Sequence, residues 1–146
     1  MANSLNFKPG DEILTTSIEY GACDKAWEYH CKKTGAVYVK QPISLPVKSK
    51  EVFVTEFFKG LSSKTKLIFI SHITSSTALR LPVEEICAAA KEKGILTFVD
   101  GAHAPGQVPL NLQDSPFDMY TGACHKWMMT PKGNSFLYVK KELQHM

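Results

Sequence analysis

Three stretches near the C-terminal end decide the fold: GILTFVDGAHAPGQ (residues 94–107), FDMYTGACHKW (residues 117–127) and PKGNSFLYV (residues 131–139). The first opens with an apolar run, residues 95–99, that stops on an acid, Asp100. Small residues follow, Gly101, Ala102 and Ala104, with His103 among them, and Pro105-Gly106 turns the chain away. The second is a short β-like run, residues 117–121, that leads into His125-Lys126-Trp127. An acid ending one buried strand and a lysine just beyond another bring opposite charges to one edge of a sheet. In open α/β sheets, ligands collect outside the carboxyl ends of the strands.

Working outward, the chain before residue 94 reads as the sheet and helices that hold these tips together. Residues 9–11 make a turn and residues 12–16 a short strand. Asp24 is expected to cap a helix that runs to Thr34, with Cys23, Trp27, His30, Cys31 and Thr34 at helical spacing and Gly35 as its stop. A strand over residues 36–39 follows, then a loop over residues 41–46 stiffened by two prolines. A second helix is expected after Ser49, its apolar stripe formed by Val54, Phe57, Phe58 and Leu61. Residues 66–70 are a strongly apolar strand with a polar tip, residues 71–76, in which His72 reads as structural support. Pro82 suits the first turn of a third helix, which buries Val83, Ile86, Cys87 and Ala90 and ends at Gly94. This alternation predicts the α/β class, a three-layer α/β/α sandwich around a mostly parallel sheet with right-handed crossovers. No helical pattern separates the strands at 117–121 and 135–139, so the last strand is expected to be antiparallel.

At 146 residues the chain is one domain, long enough to bury a core. Its 44% hydrophobic and 21% charged residues are ordinary for a soluble globular protein. The net charge of +3 is small, the lysines are scattered, and Arg80 is the only arginine, which argues against nucleic acid as a partner. No apolar run approaches the roughly 18 residues of a membrane span. The N-terminus, MANSLNFKPGDE, lacks the apolar core of a signal peptide, so a cytoplasmic location is expected. Cys23, Cys31, Cys87 and Cys124 form no C-x-x-C pair. His30-Cys31 and Cys124-His125 have the wrong spacing for the common zinc motifs, so no metal is expected and the thiols read as free and reduced.

Two residues carry the chemistry. A lysine after a strand is, taken alone, most often a solvated surface charge. Lys126, however, stands between His125 and Trp127, both costly to leave in a loop, and small groups lead into it. A lysine partly desolvated and close to another cation becomes a usable amine nucleophile for carbonyl compounds. An Asp beside Gly is commonly a turn former, yet a carboxylate that ends an apolar strand must find a cation or donors to stay ionised. A protonated pyridine nitrogen would serve Asp100 as such a partner. An acid on a pyridinium and a lysine bound as an imine are what pyridoxal phosphate chemistry needs from a protein.

Four segments, GDEILTTSIEYGA, SHITSSTALRLPVEEI, VDGAHAPGQ and DMYTGACHKWMMTPKGNSFLYV, resemble in order and spacing the class V aminotransferases of the fold type I pyridoxal-phosphate enzymes. The HKW-x-x-x-PKG form is most similar to the isopenicillin-N-epimerase-like branch. The resemblance implies pyridoxal 5'-phosphate as cofactor, held by Lys126 as an imine, with Asp100 on the pyridine nitrogen and His103 reaching the phenolic oxygen. It places Tyr20 on the face of the pyridine ring and Ser75 near the phenolic oxygen, where desulfurases carry Asn. His125 and Thr121 match phosphate-side residues, although Ala123 and Cys124 interrupt the desulfurase form S-G-H-K. Tyr20 covering the sheet edge and His103 as a turn histidine are the plain alternatives.

The resemblance covers nearly the whole chain and corresponds to the central part of the large domain, residues 1–146, without the family's phosphate loop or small domain. It implies a small-molecule amino acid as substrate and a homodimer for the complete enzyme. The expected chemistry is loss of a Cα proton, with Lys126 as proton carrier. Reprotonation on the other face gives an epimer, reprotonation at the cofactor a transamination, and loss of a sulfur group a cysteine desulfurase or C–S lyase product. The rival expectation is a catalytically silent domain that binds cofactor weakly.

Overall fold

The computed structural model describes residues 2–146. Six strands, β1 (Glu12–Thr16), β2 (Val37–Gln41), β3 (Thr65–Ser71), β4 (Leu96–Asp100), β5 (Met119–Gly122) and β6 (Phe136–Val139), form one sheet in the order β2-β1-β3-β4-β5-β6. All neighbouring pairs are parallel except β5 and β6, which are antiparallel. The register sets Ser71 beside Asp100 and Asp100 beside Thr121, so the tips of β3, β4 and β5 end level.

Three helices, α1 (Gly21–Thr34), α2 (Lys50–Phe57) and α3 (Val83–Glu92), cover the sheet and make the three layers. Residues along β3 alternate between two cores, as the two-residue period of a strand requires. Leu67 and Phe69 join Trp27 and Cys31 of α1 on one face. Ile68 and Ile70 join Phe53 and Phe57 of α2 and the four stripe residues of α3 on the other. Leu67, Ile68 and Ile70 are fully buried. Each such side chain contributes roughly 1.5–3 kcal/mol, which makes β3 the central beam under the site.

Several boundaries and faces differ from those expected. Helix α1 starts at Gly21 rather than after Asp24, and Tyr20 holds the cap position without a side-chain bond. Asp24 lies in the first turn, where acids suit the helix dipole, and accepts from Tyr38 Oη at 2.8 Å and Lys40 Nζ at 2.9 Å. It ties α1 to β2 instead of capping the helix. Ser49 does cap α2, its Oγ accepting from Val52 N at 3.2 Å. The fully packed face of α2 is Phe53 and Phe57, with Val54, Phe58 and Leu61 only partly buried beside them. Gly35, at φ 78°, ends α1 in the left-handed region that glycine enters without strain. Among the described residues, no helix is long and apolar enough to cross a membrane.

Candidate active site

Asp100 is the last residue of β4 and only 7% exposed. Its Oδ1 accepts from Ala102 N at 2.9 Å, and its Oδ2 from the thiol of Cys23 at 3.4 Å. It makes no salt bridge among the described residues. Burial, and then the Asp100 charge, push the Cys23 thiol up to about 12, so it stays an S–H donor. One amide and one weak thiol are a thin set of partners for a buried carboxylate.

Lys126 stands in the loop after β5, and its Nζ lies 3.1 Å from His103 Nε2. The same amine is 5.9 Å from the centre of the Tyr20 ring. On the other side of the imidazole, Trp127 Nε1 donates to His103 Nδ1 at 3.1 Å. Burial, and then the Lys126 charge, hold the His103 pKa below its ordinary value.

Two glycines allow these loops to close up. A Cβ on Gly101 would lie 2.1 Å from the Tyr120 ring, so only glycine lets the turn after Asp100 sit on that ring. Tyr120 is fixed from below by His72, whose Nδ1 is 2.9 Å from Tyr120 Oη. His72 is fully buried and is thus placed as a support. Gly106, at φ 86°, lies so close to the next loop that a Cβ would be 2.9 Å from the Trp127 carbonyl.

Tyr20, Ser75, Asp100, His103 and Lys126, five of the residues expected from sequence, line one cleft together with Ser71 and Ala102. Its free volume is ≈ 10 Å³, room for about one water. Thr121 and His125 do not line it. Thr121 Oγ1 donates to Phe136 O at 3.1 Å, across to β6, and Gly101 N donates to Thr121 O at 2.8 Å. His125 directs both its backbone N and its Nδ1 at Asn134 O, at 3.3 and 3.0 Å, and so pins the loop that follows Lys126.

Sequence reasoning missed Glu19, Ser71 and Cys23. Glu19 is buried next to Tyr20 and accepts from Thr16 Oγ1 at 2.6 Å, Ser71 N at 3.0 Å and the Ser71 hydroxyl. Burial raises its pKa to about 7 against the opposing hydrogen bonds, with a smaller push from Asp100. The signal for it was the one that found Asp100, an acid just past a buried strand.

The donor set fits a pyridoxal cofactor: a lysine amine, a buried carboxyl group without a cation among the described residues, and an aromatic ring beside the amine. The fit is chemical rather than spatial, because the cleft's free volume of ≈ 10 Å³ is far smaller than a cofactor.

A mostly parallel sheet covered on both faces, with a lysine amine and a buried acid at its strand tips, defines an α/β protein with a polar cleft at the carboxyl ends of its strands. The chain belongs to the aminotransferase class-V family, whose model matches residues 1–146. It is 37% identical over 135 residues to isopenicillin N epimerase from Amycolatopsis lactamdurans, covering 91% of this chain and 34% of that protein. It is 35% identical over 143 residues to putative L-cysteine desulfhydrase 1 from Oryza sativa subsp. japonica, covering 93% and 30%. A solved complex of a cystine C–S lyase with its product cysteine persulfide superposes with a TM-score of 0.84 at 28% identity, covering 94% of this chain and 37% of the lyase. A variant of that lyase, with glycine covalently linked to its pyridoxal-phosphate cofactor, gives a TM-score of 0.83 at 27% identity. The chain spans about a third of the length of the curated relatives it matches.

Proposed function

We propose that this protein forms the lysine-bearing part of a pyridoxal-phosphate-dependent enzyme that acts on amino acids as small-molecule substrates. The observation that carries the reading is the convergence of Lys126, His103, Asp100, Tyr20 and Ser75 on one cleft at the level strand tips. Lys126 would anchor the cofactor aldehyde, Asp100 would meet the ring nitrogen, and Tyr20 would cover the ring. His103 and Ser75 would serve the phenolic oxygen. Thr121 and His125 are assigned to the phosphate side by family resemblance alone. When bound, the cofactor supplies an electron sink for negative charge at the amino-acid Cα.

The chain's own residues then have definite tasks. Asp100 would offer its carboxyl to the ring nitrogen in a site 7% exposed, where water screens charges little. Lys126, whenever its amine is not joined to the cofactor, would be able to hold and move a proton. The names of the relatives favour two outcomes within the proposal, epimerisation and C–S bond cleavage; the homodimer is proposed from the family resemblance alone. The small free volume favours a second reading, a domain that folds but binds cofactor weakly and turns over nothing. The test is to add pyridoxal phosphate, reduce with borohydride and map the labelled peptide. The label is expected on Lys126. A label confined to Lys132 or Lys140 would sink the assignment, and no label at all would favour the silent domain.

A further inference from the structure

We propose that Trp127 is a positioning residue that holds His103 in its Nε2–H tautomer, so that a fixed N–H donor faces the Lys126 amine. The inference deepens the reading of Lys126 as the covalent anchor, and only its last step rests on that reading.

An indole N–H can only donate. At 3.1 Å from His103 Nδ1 it therefore needs a lone pair on that nitrogen. A neutral imidazole has one donor and one acceptor nitrogen, so its proton sits on Nε2. Burial favours the neutral ring, which makes the choice of tautomer matter. The other polar contact of His103 does not interfere, because Gln107 Nε2 donates to its backbone O rather than to the ring.

The consequence falls on Lys126, 3.1 Å from Nε2. An ammonium group has three donors and no acceptor, so two donors would face each other there. The contact is satisfied only when the amine presents its lone pair, and that lone pair is what attacks a carbonyl. In the opposite tautomer, Nδ1–H would point at the indole N–H, and the bare Nε2 would accept from an ammonium and stabilise the unreactive form. Trp127 thus selects which form of Lys126 the histidine favours. Its ring is 52% exposed, so this hydrogen bond rather than core packing is its contribution.

The test uses the protein without cofactor first. Two-bond proton–nitrogen correlation spectra of the ¹⁵N-labelled histidines, at about pH 8 and above the ordinary imidazole range, should show His103 as the Nε2–H tautomer. Trp127→Phe, which keeps an aromatic ring but no donor, should shift it to a mixture of both forms. A wild-type ring in the Nδ1–H or doubly protonated form would overturn the proposal, as would a variant spectrum identical to the wild type. If the variant fails to fold, a through-hydrogen-bond nitrogen–nitrogen coupling between Trp127 Nε1 and His103 Nδ1 in the wild type decides, and its absence overturns the proposal. Pyridoxal phosphate is then added and its covalent attachment timed. Trp127→Phe should slow it about three- to tenfold, the size of one neutral hydrogen bond. In a His103→Gln background, whose amide needs no tautomer, Trp127→Phe should add nothing. An equal slowing in both backgrounds would show that Trp127 acts some other way. If the tautomer behaves as expected but no protein attaches the cofactor, the assignment to Trp127 stands and the proposed function falls.

Discussion

Asp118 and Asp100 lie at opposite ends of the neighbouring strands β4 and β5, and they live in different company. Asp118 Oδ2 accepts from Thr97 N at 2.9 Å and Thr97 Oγ1 at 3.0 Å, while its Oδ1 meets Lys140 Nζ at 3.0 Å. Lys140 also donates to Pro116 O, at 3.3 Å. Asp100, similarly sheltered, has an amide and a thiol. The lysines divide the same way: Lys140 is engaged by a carboxylate, and Lys126 rests on an imidazole. Burial does not separate the structural pair from the chemical pair. Partner count does, and it separates the end of the sheet proposed as the site from the end that is satisfied within the chain.

The largest expected effect tests the satisfied end. Asp118→Ala leaves Lys140 sheltered without its counter-charge and strips Thr97 of its acceptor, which should cost about 3–5 kcal/mol. Urea unfolding measures it, and a loss under about 1 kcal/mol would erase the distinction drawn here. Asp118→Ala should leave labelling of Lys126 in the folded fraction unchanged.

Next comes Glu19, a third acid, which shares the unsatisfied end and has only neutral donors. The folded protein binds its proton more tightly than the unfolded chain does, with a pKa of about 7 against 4.5. Its contribution to stability is therefore whole below about pH 4.5 and is lost as the pH rises through about 7. The expected loss is about 3 kcal/mol across that window. Glu19→Gln should flatten that part of the pH profile; an unchanged slope would mean that the carboxyl is ionised throughout.

The smallest effect in energy is on rate. Under the proposed function, Asp100→Asn should reduce turnover ten- to hundredfold, the worth of a charge-assisted bond of ~1.5–3 kcal/mol. Its unfolding free energy should move by less than about 1 kcal/mol, since no ion pair is broken. Near-normal turnover would make Asp100 a turn residue and nothing more.

Much of this contrast was legible in the sequence, unevenly. The α3 stripe and the apolar run of β3 announced themselves because both are periodic and uninterrupted. Helix α2 and the turn after it carry apolar residues at 52, 53, 54, 57, 58 and 61, a band so wide that its centre depends on which part meets the sheet. The expected stripe was therefore one position out, and Phe53 was missed. Asp24 looked like a cap because its role as an anchor depends on Tyr38 and Lys40, residues of another strand. In the site, Asp100 and Lys126 could be found as charges at strand ends, and the family resemblance added Tyr20, His103 and Ser75. Cys23 left no trace, since it reaches Asp100 from a helix 77 residues earlier in the chain. Thr121 and His125 have polar atoms held by the carbonyls of Phe136 and Asn134, bonds that exist only once β6 has docked.

The close approach of Gly106 to the Trp127 carbonyl has a consequence for mutational scanning of this protein. Gly106 does not line the cleft, so a survey confined to cleft-lining side chains would pass over it. Yet any side chain there acts like a wedge between two backbones, and it would drive the Lys126 loop away from the His103 turn in a single movement. Every contact across the cleft would lengthen together, whatever the chemistry of the inserted group. Substitutions at position 106 should therefore behave alike, from Ala to Glu, and tolerance there would report the width of the cleft rather than its chemistry.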